Sequence, residues 1–185
     1  MKSGYPHTIE NGVGERLTFL GVRTGEEGRE YLDVESRIAP GAGPASHVHR
    51  LQEEGITVRA GRIGYQVAGG PERFAGRGET VLFRPGEMHR FWNAGDDELH
   101  LTGWVSPPHN LEYFLTELFG SMRRSGGGRP NPLDAAYLLA RFRTEFGIGE
   151  IPAPVQRFVF PVMRTAGRAL GRHRRYAAAP PAVEQ

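Results

Sequence analysis

The sequence predicts a mainly β protein, a barrel or sandwich of short antiparallel strands, followed by an α-helical C-terminal extension. From about residue 15 to residue 105, short apolar segments recur at regular spacing between turn residues, which is typical of sandwiches and barrels. The 26 glycines and 14 prolines are spread along the chain instead of forming one tract, so they indicate many turns. After Pro107-Pro108 the apolar period becomes that of a helix.

The first strands form a hairpin in this prediction. Arg16 to Arg23 and Arg29 to Ala39 are strands, and Gly25-Glu26-Glu27-Gly28 is the turn between them. Successive strand side chains point to opposite faces, so Leu32, Val34 and Ile38 share one face. The further predicted strands cover residues 46–50, 54–60, 62–68, 80–84, 89–93 and 99–105.

The extension carries three helical patterns. Asn110 is the expected N-cap of the first, and Asn131-Pro132 opens a second that runs to Gly147. A third is expected to kink or break at Pro161. Its expected apolar side consists of Val155, Phe158, Val159, Val162, Met163, Ala166 and Leu170.

These patterns divide the chain into three parts. Residues 1–108 are predicted to form the β-barrel domain. Residues 109–176 are predicted to form a helical extension, packed on the barrel or at a dimer interface, because apolar helix faces need to be covered. Residues 177–185 are expected to be a disordered tail.

Composition restricts the chemistry and the location. There is no cysteine, so disulfides and thiolate ligands are excluded, and histidine and carboxylate are left for metal chemistry. The N-terminal residues lack the apolar core of a signal peptide, and no apolar run approaches the roughly 20 residues of a membrane span. We therefore expect a cytoplasmic protein without a membrane span.

Charge is distributed unevenly along the chain. Residues 1–122 carry 12 basic and 17 acidic side chains, whereas residues 123–185 carry 11 basic and 4 acidic ones. The basic tail indicates either a solvated surface or a docking surface for a partner subunit or an anionic surface. No recognition motif for nucleic acid accompanies it, so nucleic-acid binding is not expected.

Four side chains form a candidate metal site. His47 and His49 are two residues apart on a predicted strand and therefore point to the same face. Glu54 follows on the next strand, and His89 comes from a separate hairpin. Glu53 could replace Glu54 as the carboxylate, although strand parity favours Glu54. Three imidazoles and one carboxylate suit one divalent transition metal, which could be Fe, Mn, Ni, Cu or Zn.

Two sequence motifs around these residues resemble those of the cupin superfamily. Gly41, His47-Val48-His49, Glu54 and Gly61 have the spacing of the first cupin motif. Residues 78–93 resemble the second, with Gly78, Gly86, His89 and Asn93 at family positions. Residue 84 departs from the pattern, because it is an arginine where the family usually has proline, and Pro85 follows it.

The resemblance, which covers roughly residues 15–108, implies a double-stranded β-helix, or jelly-roll, of the small single-domain cupin type. It also implies that His47, His49, Glu54 and His89 are the metal ligands, with positions left open for water, dioxygen or substrate. Two enzymatic chemistries follow: a quercetinase-like dioxygenase, which the family analogy favours, or a metal-dependent isomerase or lyase. A third reading is a non-catalytic cupin that binds a small molecule or a metal.

Two residues are candidates for catalysis beyond metal binding. Glu54 could accept a proton if it leaves the metal. His100 shares a strand face with Thr102 and Trp104, and it could act on substrate if that face points into the barrel. The sequence does not determine which face points inward. A homodimer is also expected, since cupins of this size often pair.

Overall fold

The computed structural model describes residues 4–149, 151–152 and 154–184. In these ranges it has eleven strands and three α-helices. The strands are β1 His7–Glu10, β2 Glu15–Thr24, β3 Glu30–Ile38, β4 His47–His49, β5 Glu53–Ala60, β6 Ile63–Val67, β7 Arg73–Ala75, β8 Thr80–Phe83, β9 Met88–Asn93, β10 Leu99–Ser106 and β11 Phe146–Ile148. The helices are α1 Leu111–Arg124, α2 Pro132–Arg141 and α3 Phe160–Ala169.

Two antiparallel sheets form the barrel. One has the strand order β1-β2-β3-β10-β5-β8, and the other has the order β11-β4-β9-β6-β7. A core of apolar side chains from both sheets lies between them, including Val58, Leu101, Ile63 and Phe91. The predicted mainly β class, with a double-stranded β-helix and a helical extension, is confirmed.

The predicted apolar face of β3 points into the molecule. Leu32 and Ile38 are buried, and Val34 is partly buried. β10 lies beside β3, with Leu99 opposite Ile38. Leu99 and Leu101 are buried in the barrel core as well. The alternating side chains of β10, among them His100, therefore belong to the other face of the sheet.

The extension packs against one end of the barrel. A second apolar core joins Phe19, Leu32 and Val105 of the strands to side chains of the extension such as Phe114 and Phe142. This contact covers the apolar side of α1, as expected for an amphipathic helix of the extension.

The two predicted N-caps differ in the structure. Asn131 caps α2 as predicted, because its side-chain oxygen accepts a hydrogen bond from the Leu133 amide at 3.0 Å. Asn110 precedes α1 but makes no side-chain cap. Its amide group instead donates to Oε1 of Glu145, a fully buried carboxylate, at 2.8 Å. The hydrogen bond to the buried Glu145 carboxylate therefore sets the orientation of the Asn110 side chain, which does not cap the helix.

The second helix is shorter than predicted. It ends at Arg141 and not at Gly147, and Phe146–Ile148 form strand β11. β11 pairs with β4, with Phe146 opposite His49 and Ile148 opposite His47. The Arg50 amide also donates to the Glu145 carbonyl at 2.8 Å. If the helix continued to Gly147, the backbone N–H and C=O groups at the edge of β4 would have no strand partner. Pairing with β4 therefore overrides the local helical pattern.

The third helical stretch is continuous through Pro161. A turn of π-helix, Val155–Val159, leads directly into α3, so an irregular helical turn lies immediately before Pro161, whose ring nitrogen has no N–H to donate. Phe160 and Gly167 are the buried residues of α3. Much of the predicted apolar side is instead exposed to solvent, including Phe158, Val162 and Leu170.

Residues 177–184, expected to be disordered, have defined contacts in the structure. The Val183 amide donates to Glu145 Oε1 at 3.1 Å, and the Pro181 carbonyl accepts from Asn110 Nδ2 at 2.9 Å. Ala179 and Ala182 lie against the second core. No helix in the described ranges is both long and apolar enough to cross a lipid bilayer.

Candidate metal centre

Three strands bring the four predicted ligands together. His47 and His49 lie on β4, Glu54 lies near the start of β5, and His89 lies on β9. β4 and β9 are antiparallel neighbours with His47 directly opposite His89. Glu54 comes from the other sheet, so the cluster spans the barrel interior. Each residue offers one donor atom, and these atoms all lie within 4.8 Å of one another.

The donor distances are close to those of a metal-ligand set. Glu54 Oε2 lies 3.0 Å from His89 Nε2, 3.6 Å from His49 Nε2 and 4.0 Å from His47 Nε2. Ligands about 2.1 Å from an ion are separated by about 3 Å at right angles and about 4.2 Å when opposite. One ion among these four donors therefore requires only small movements of the side chains.

Backbone carbonyls determine the protonation of two of the imidazoles. His47 Nδ1 lies 2.8 Å from the Ala45 carbonyl, and His89 Nδ1 lies 2.9 Å from the Glu87 carbonyl. Because a carbonyl only accepts, both Nδ1 atoms carry hydrogen, and in the neutral ring Nε2 is left as a lone-pair donor. Metal-binding histidines usually have this second hydrogen bond, which orients the ring and fixes the tautomer.

The contact between His89 and Glu54 requires a cation. If Nδ1 of His89 holds the hydrogen of the neutral ring, then Nε2 and the ionised Glu54 Oε2 are two acceptors only 3.0 Å apart. Two lone pairs at this distance repel unless a proton or a metal ion lies between them. A single proton serves only one such pair, whereas a divalent ion can serve all four donors. The donor set thus fits a metal.

The cluster favours the ligand forms of its members. Burial lowers the pKa of His47 to about 3, with the positive charge of neighbouring histidines acting in the same direction. Burial also lowers the pKa of His49. For Glu54, burial acts to raise the pKa, but the close side-chain contact with His89 and the three nearby imidazoles lower it to about 2. These groups are therefore deprotonated near neutral pH, as metal ligands need to be.

Glu54 belongs to the cluster, and its neighbour Glu53 does not. Glu53 Oε1 lies 3.5 Å from an Arg29 guanidinium nitrogen, on the other face of β5. All three imidazoles lie within 4.0 Å of Glu54 Oε2. The structure therefore agrees with the preference that strand parity gave to Glu54.

Aromatic rings surround the imidazoles. Phe83 stacks on His89 with ring centroids 3.9 Å apart and an angle of 8° between the planes. Phe91 lies edge-on to His47 at 6.4 Å, and Phe146 lies edge-on to His49 at 5.7 Å. These rings fix the imidazole planes and make the surroundings of the donors apolar, which limits water access and tunes a bound metal.

His100 lies outside the cluster. Its Nε2 is 2.9 Å from Glu35 Oε1, on the sheet face opposite the barrel core. The separation suits an ion pair, but the geometry does not meet the angle requirement of a hydrogen bond, and the nitrogen is buried without another partner among the described residues. His100 could act on substrate only if the face of β10 that carries it pointed into the barrel. In the structure that face points away from the barrel core.

The motif residues Asn93, Gly61 and Gly86 have structural roles. Asn93 is buried, and its amide group donates to the carbonyls of Ile38 and Asp97 at 2.8 and 2.7 Å. The two glycines adopt φ angles of +86° and +84°, which L side chains rarely adopt. They shape the turns beside β5 and β9, and Asn93 ties the end of β9 to β3.

Two aromatic residues around the site, Phe83 and Phe146, are not predicted by the sequence to belong to it. Phe83 lies in a predicted strand without a role in the site, and Phe146 lies in the predicted second helix. One signal for Phe146 was available: Thr144, Phe146 and Ile148 alternate with glycine at 147 and 149, which is a strand-like period of two.

Comparison with known proteins gives one family match. Residues 34–105 match the model of the Cupin domain family, and this range contains all four donor residues. No curated protein gives a significant match.

Several solved structures are similar to part of the chain. A double-stranded β-helix protein from Klebsiella pneumoniae has 21% identity over 58% of this chain and 81% of its own, with a TM-score of 0.43. KdgF from Halomonas has 16% identity over 57% of this chain and 92% of its own, with a TM-score of 0.48. A predicted oxalate decarboxylase from Thermotoga maritima has 19% identity over 54% of this chain and 90% of its own, with a TM-score of 0.43.

Proposed function

The chain carries a cupin domain of the Cupin_2 type, and on this premise we propose that it is a metal-dependent dioxygenase, quercetinase-like in chemistry, acting on a small organic substrate inside the barrel. In this proposal His47, His49, Glu54 and His89 bind one divalent transition metal. The observation that carries it is the convergence of the four donor atoms within 4.8 Å of one another, with His89 Nε2 and Glu54 Oε2 only 3.0 Å apart.

The charge of the donor set favours a divalent ion. Three neutral imidazoles and one carboxylate together carry a single negative charge, and a divalent ion with this set remains an electrophile. When bound, such a metal supplies the Lewis acidity and redox chemistry that activation of dioxygen with an enol or catechol requires. Four protein ligands leave coordination positions for external molecules if the ion takes five or six ligands.

Glu54 is proposed to have a second role as proton acceptor. Its Oε2 atom lies 3.0 Å from His89 Nε2, and the low pKa of Glu54 keeps the carboxylate ionised. A hydroxyl of a bound enol or catechol that approached the metal would lie within hydrogen-bond reach of this oxygen. The carboxylate could then take the hydroxyl proton as it separates from the ion.

The barrel interior favours a neutral and largely apolar substrate. The core around the site is aliphatic and aromatic, and Tyr65 packs at its edge with its ring 6.2 Å from Phe83. No lysine or arginine within the described ranges is buried. An anionic substrate would therefore meet no buried cation except the metal. A planar aromatic enol would instead pack against the aliphatic and aromatic side chains of the barrel interior.

The test combines metal content with oxygen uptake. Protein purified without chelator, and apo protein reloaded separately with Fe(II), Mn(II), Ni(II), Cu(II) or Zn(II), is supplied with a flavonol and with a catechol in an oxygen electrode. We expect about one metal per chain and one dioxygen consumed per substrate, with both ¹⁸O atoms in the products.

Two variants make the test specific. Glu54→Gln should reduce turnover at least a hundredfold. The control is His109→Asn, because His109 is exposed and its φ of +44° is one that asparagine tolerates. This control should change neither the metal content nor the turnover. Substrate that stabilises the protein without oxygen uptake would indicate a binding cupin. Turnover that continues without dioxygen, with Zn(II) bound, would indicate an isomerase or lyase. Either result would overturn the proposal.

The homodimer and the cytoplasmic location expected from the sequence stay predictions. Light scattering of the purified chain tests the dimer.

A further inference from the structure

The strongest unexplained feature outside the metal centre is the outer face of the third helical stretch. Phe158, Val162 and Leu170 are 66%, 67% and 74% exposed, and Val159 is 41% exposed. Phe158 and Val162 are four residues apart and so lie on one side of the helix in successive turns. A surface helix normally turns its apolar side to the core, but here the outward side is apolar too.

The inward side of the same stretch is held by the protein. Phe160 and Gly167 are buried, and Met163 packs against the second core. A Cβ atom at position 167 would clash with the His173 ring, so the helix sits closely against the segment that follows it. Residues 155–169 therefore form a rod of about 22 Å, fixed on one side and apolar on the other.

The charge beside this face has one sign. Residues 151–183 contain six arginines and no aspartate or glutamate. Arg172 and Arg175 approach Asp134 of α2 at 2.8 and 3.7 Å. Arg157, Arg164, Arg168 and Arg174 are exposed, and within the described ranges none of these four lies within 4.0 Å of a carboxylate.

We propose that this face, formed by Phe158, Val162 and Leu170 with Arg157, Arg164 and Arg168, docks the protein onto the surface of an anionic lipid membrane. A helix that lies in the interface plane inserts large apolar side chains among the acyl chains and places arginines at the headgroups. The exposed apolar residues match the acyl chains of such a surface. The arginines, with no acidic residue beside them, match its anionic headgroups.

Other occupants match fewer of these features. A nucleic acid would use the arginines, but its phosphates give no burial for Phe158, Val162 and Leu170. A second copy related by a two-fold axis would bury the apolar residues while bringing like-charged helices together, with no acidic residue in the segment to offset them. The docking does not depend on the proposed oxygenase activity.

The experiment is flotation of the full-length metal-loaded protein with vesicles. One set is phosphatidylcholine alone, and the other contains phosphatidylcholine and phosphatidylglycerol at about 7:3. We expect binding to the anionic vesicles only, and weaker binding as salt is raised. Replacement of two arginines in R164Q/R168Q should weaken binding by about fivefold per arginine. F158S/V162S should weaken it at least tenfold through lost apolar burial.

Matched controls lie on the barrel. Leu82→Ser removes an apolar side chain that is 58% exposed, and R77Q/R84Q removes two exposed arginines. Both should bind like the wild type. Equal binding to the two vesicle sets, no binding to either, or equal losses in the control variants would overturn the proposal. It would also be overturned by a dimer that F158S/V162S converts to a monomer, without any vesicle binding by the wild type.

Discussion

The ring of Phe146 lies edge-on to the imidazole of His49, with centroids 5.7 Å apart, although 97 residues separate the two in the chain. The contact exists because β11 pairs with β4 and sets Phe146 directly opposite His49. Phe146 also stacks on Phe114 of α1 at 4.7 Å. One side chain of the extension therefore joins the second core to a proposed metal ligand.

Removal of this ring should weaken metal binding. His49 Nδ1 has no hydrogen-bond partner among the described residues, so its ring is oriented by packing, with Phe146 on one side and the imidazoles of His47 and His89 beside it. We expect Phe146→Ala to raise the metal dissociation constant about tenfold, as loss of a group that orients a ligand does. Competition with a chromogenic chelator measures it.

A matched variant separates this effect from general destabilisation. Phe142 is also fully buried in the second core, but it packs against Tyr113 and Phe114 instead of the imidazoles. Phe142→Ala and Phe146→Ala should each cost about 3 kcal/mol or more of unfolding free energy. Only Phe146→Ala should change metal affinity, and equal changes in the two variants would contradict a specific role for the ring.

Stability of the metal-free protein should fall in acid. Burial lowers the pKa of His47 to about 3, so below about pH 6.5 the unfolded chain binds a proton there that the native chain does not. Stability is therefore lost as pH falls from 6.5 toward 3. Glu54, with its pKa lowered to about 2, contributes stability above about pH 4.5 that is lost as pH falls from there toward 2.

Thermal unfolding of chelator-treated protein from pH 8 to pH 4 measures this effect. The two contributions have the same sign, so the melting temperature should decline below pH 6.5 and decline more steeply below about pH 4.5. The variant His47→Gln should have a shallower slope between pH 6.5 and pH 4.5. A melting temperature that stays constant down to pH 4.5 in the wild type would contradict the prediction.

The buried carboxylate of Asp134 should hold the end of the extension. Asp134 has no exposed side-chain surface, and it accepts hydrogen bonds from Arg172 Nε at 2.8 Å and Ser121 Oγ at 2.7 Å. Burial acts to raise its pKa, but these bonds and the charges of Arg172 and Arg175 hold the pKa below its usual value. Asp134→Asn leaves the guanidinium groups without their anion and should cost about 3 kcal/mol.

Hydrogen exchange should locate this loss. Amides of residues 172–176 are expected to exchange faster in Asp134→Asn, together with a lower melting temperature. The exposed pair Arg23–Asp33, at 2.8 Å, offers a comparison, because Asp33→Asn should change stability by less than about 1 kcal/mol. Protection of 172–176 equal to that of the wild type would refute a role for Asp134 in anchoring this segment.

His100 should be dispensable for the metal centre. It lies on the outer face of β10 beside Glu35, so His100→Asn should keep one metal per chain and change turnover by less than about twofold. Elemental analysis and the oxygen electrode measure the two quantities. Loss of metal, or a tenfold fall in turnover, would show that the outer face of this sheet acts on the site.

The metal cluster could be predicted from the sequence because its determinants are local. A spacing of two residues on a strand places His47 and His49 on one face, and glycines such as Gly61 and Gly86 fix the adjoining turns. The two motifs then identify Glu54 and His89, and the structure brings these four donors together. The mainly β class followed from the same alternation and turns.

Only the tertiary structure decided the features that depend on distant partners. Strand β11 exists because the edge of β4 accepts Phe146–Ile148, and the short strand-like period at these residues does not by itself outweigh the helical pattern that precedes it. The direction of His100 depends on which face of β10 meets the barrel core. The apolar side of the third helix remained exposed because its burial depends on what packs beside it, and the protein covers Phe160 while leaving Phe158 and Val162 in solvent.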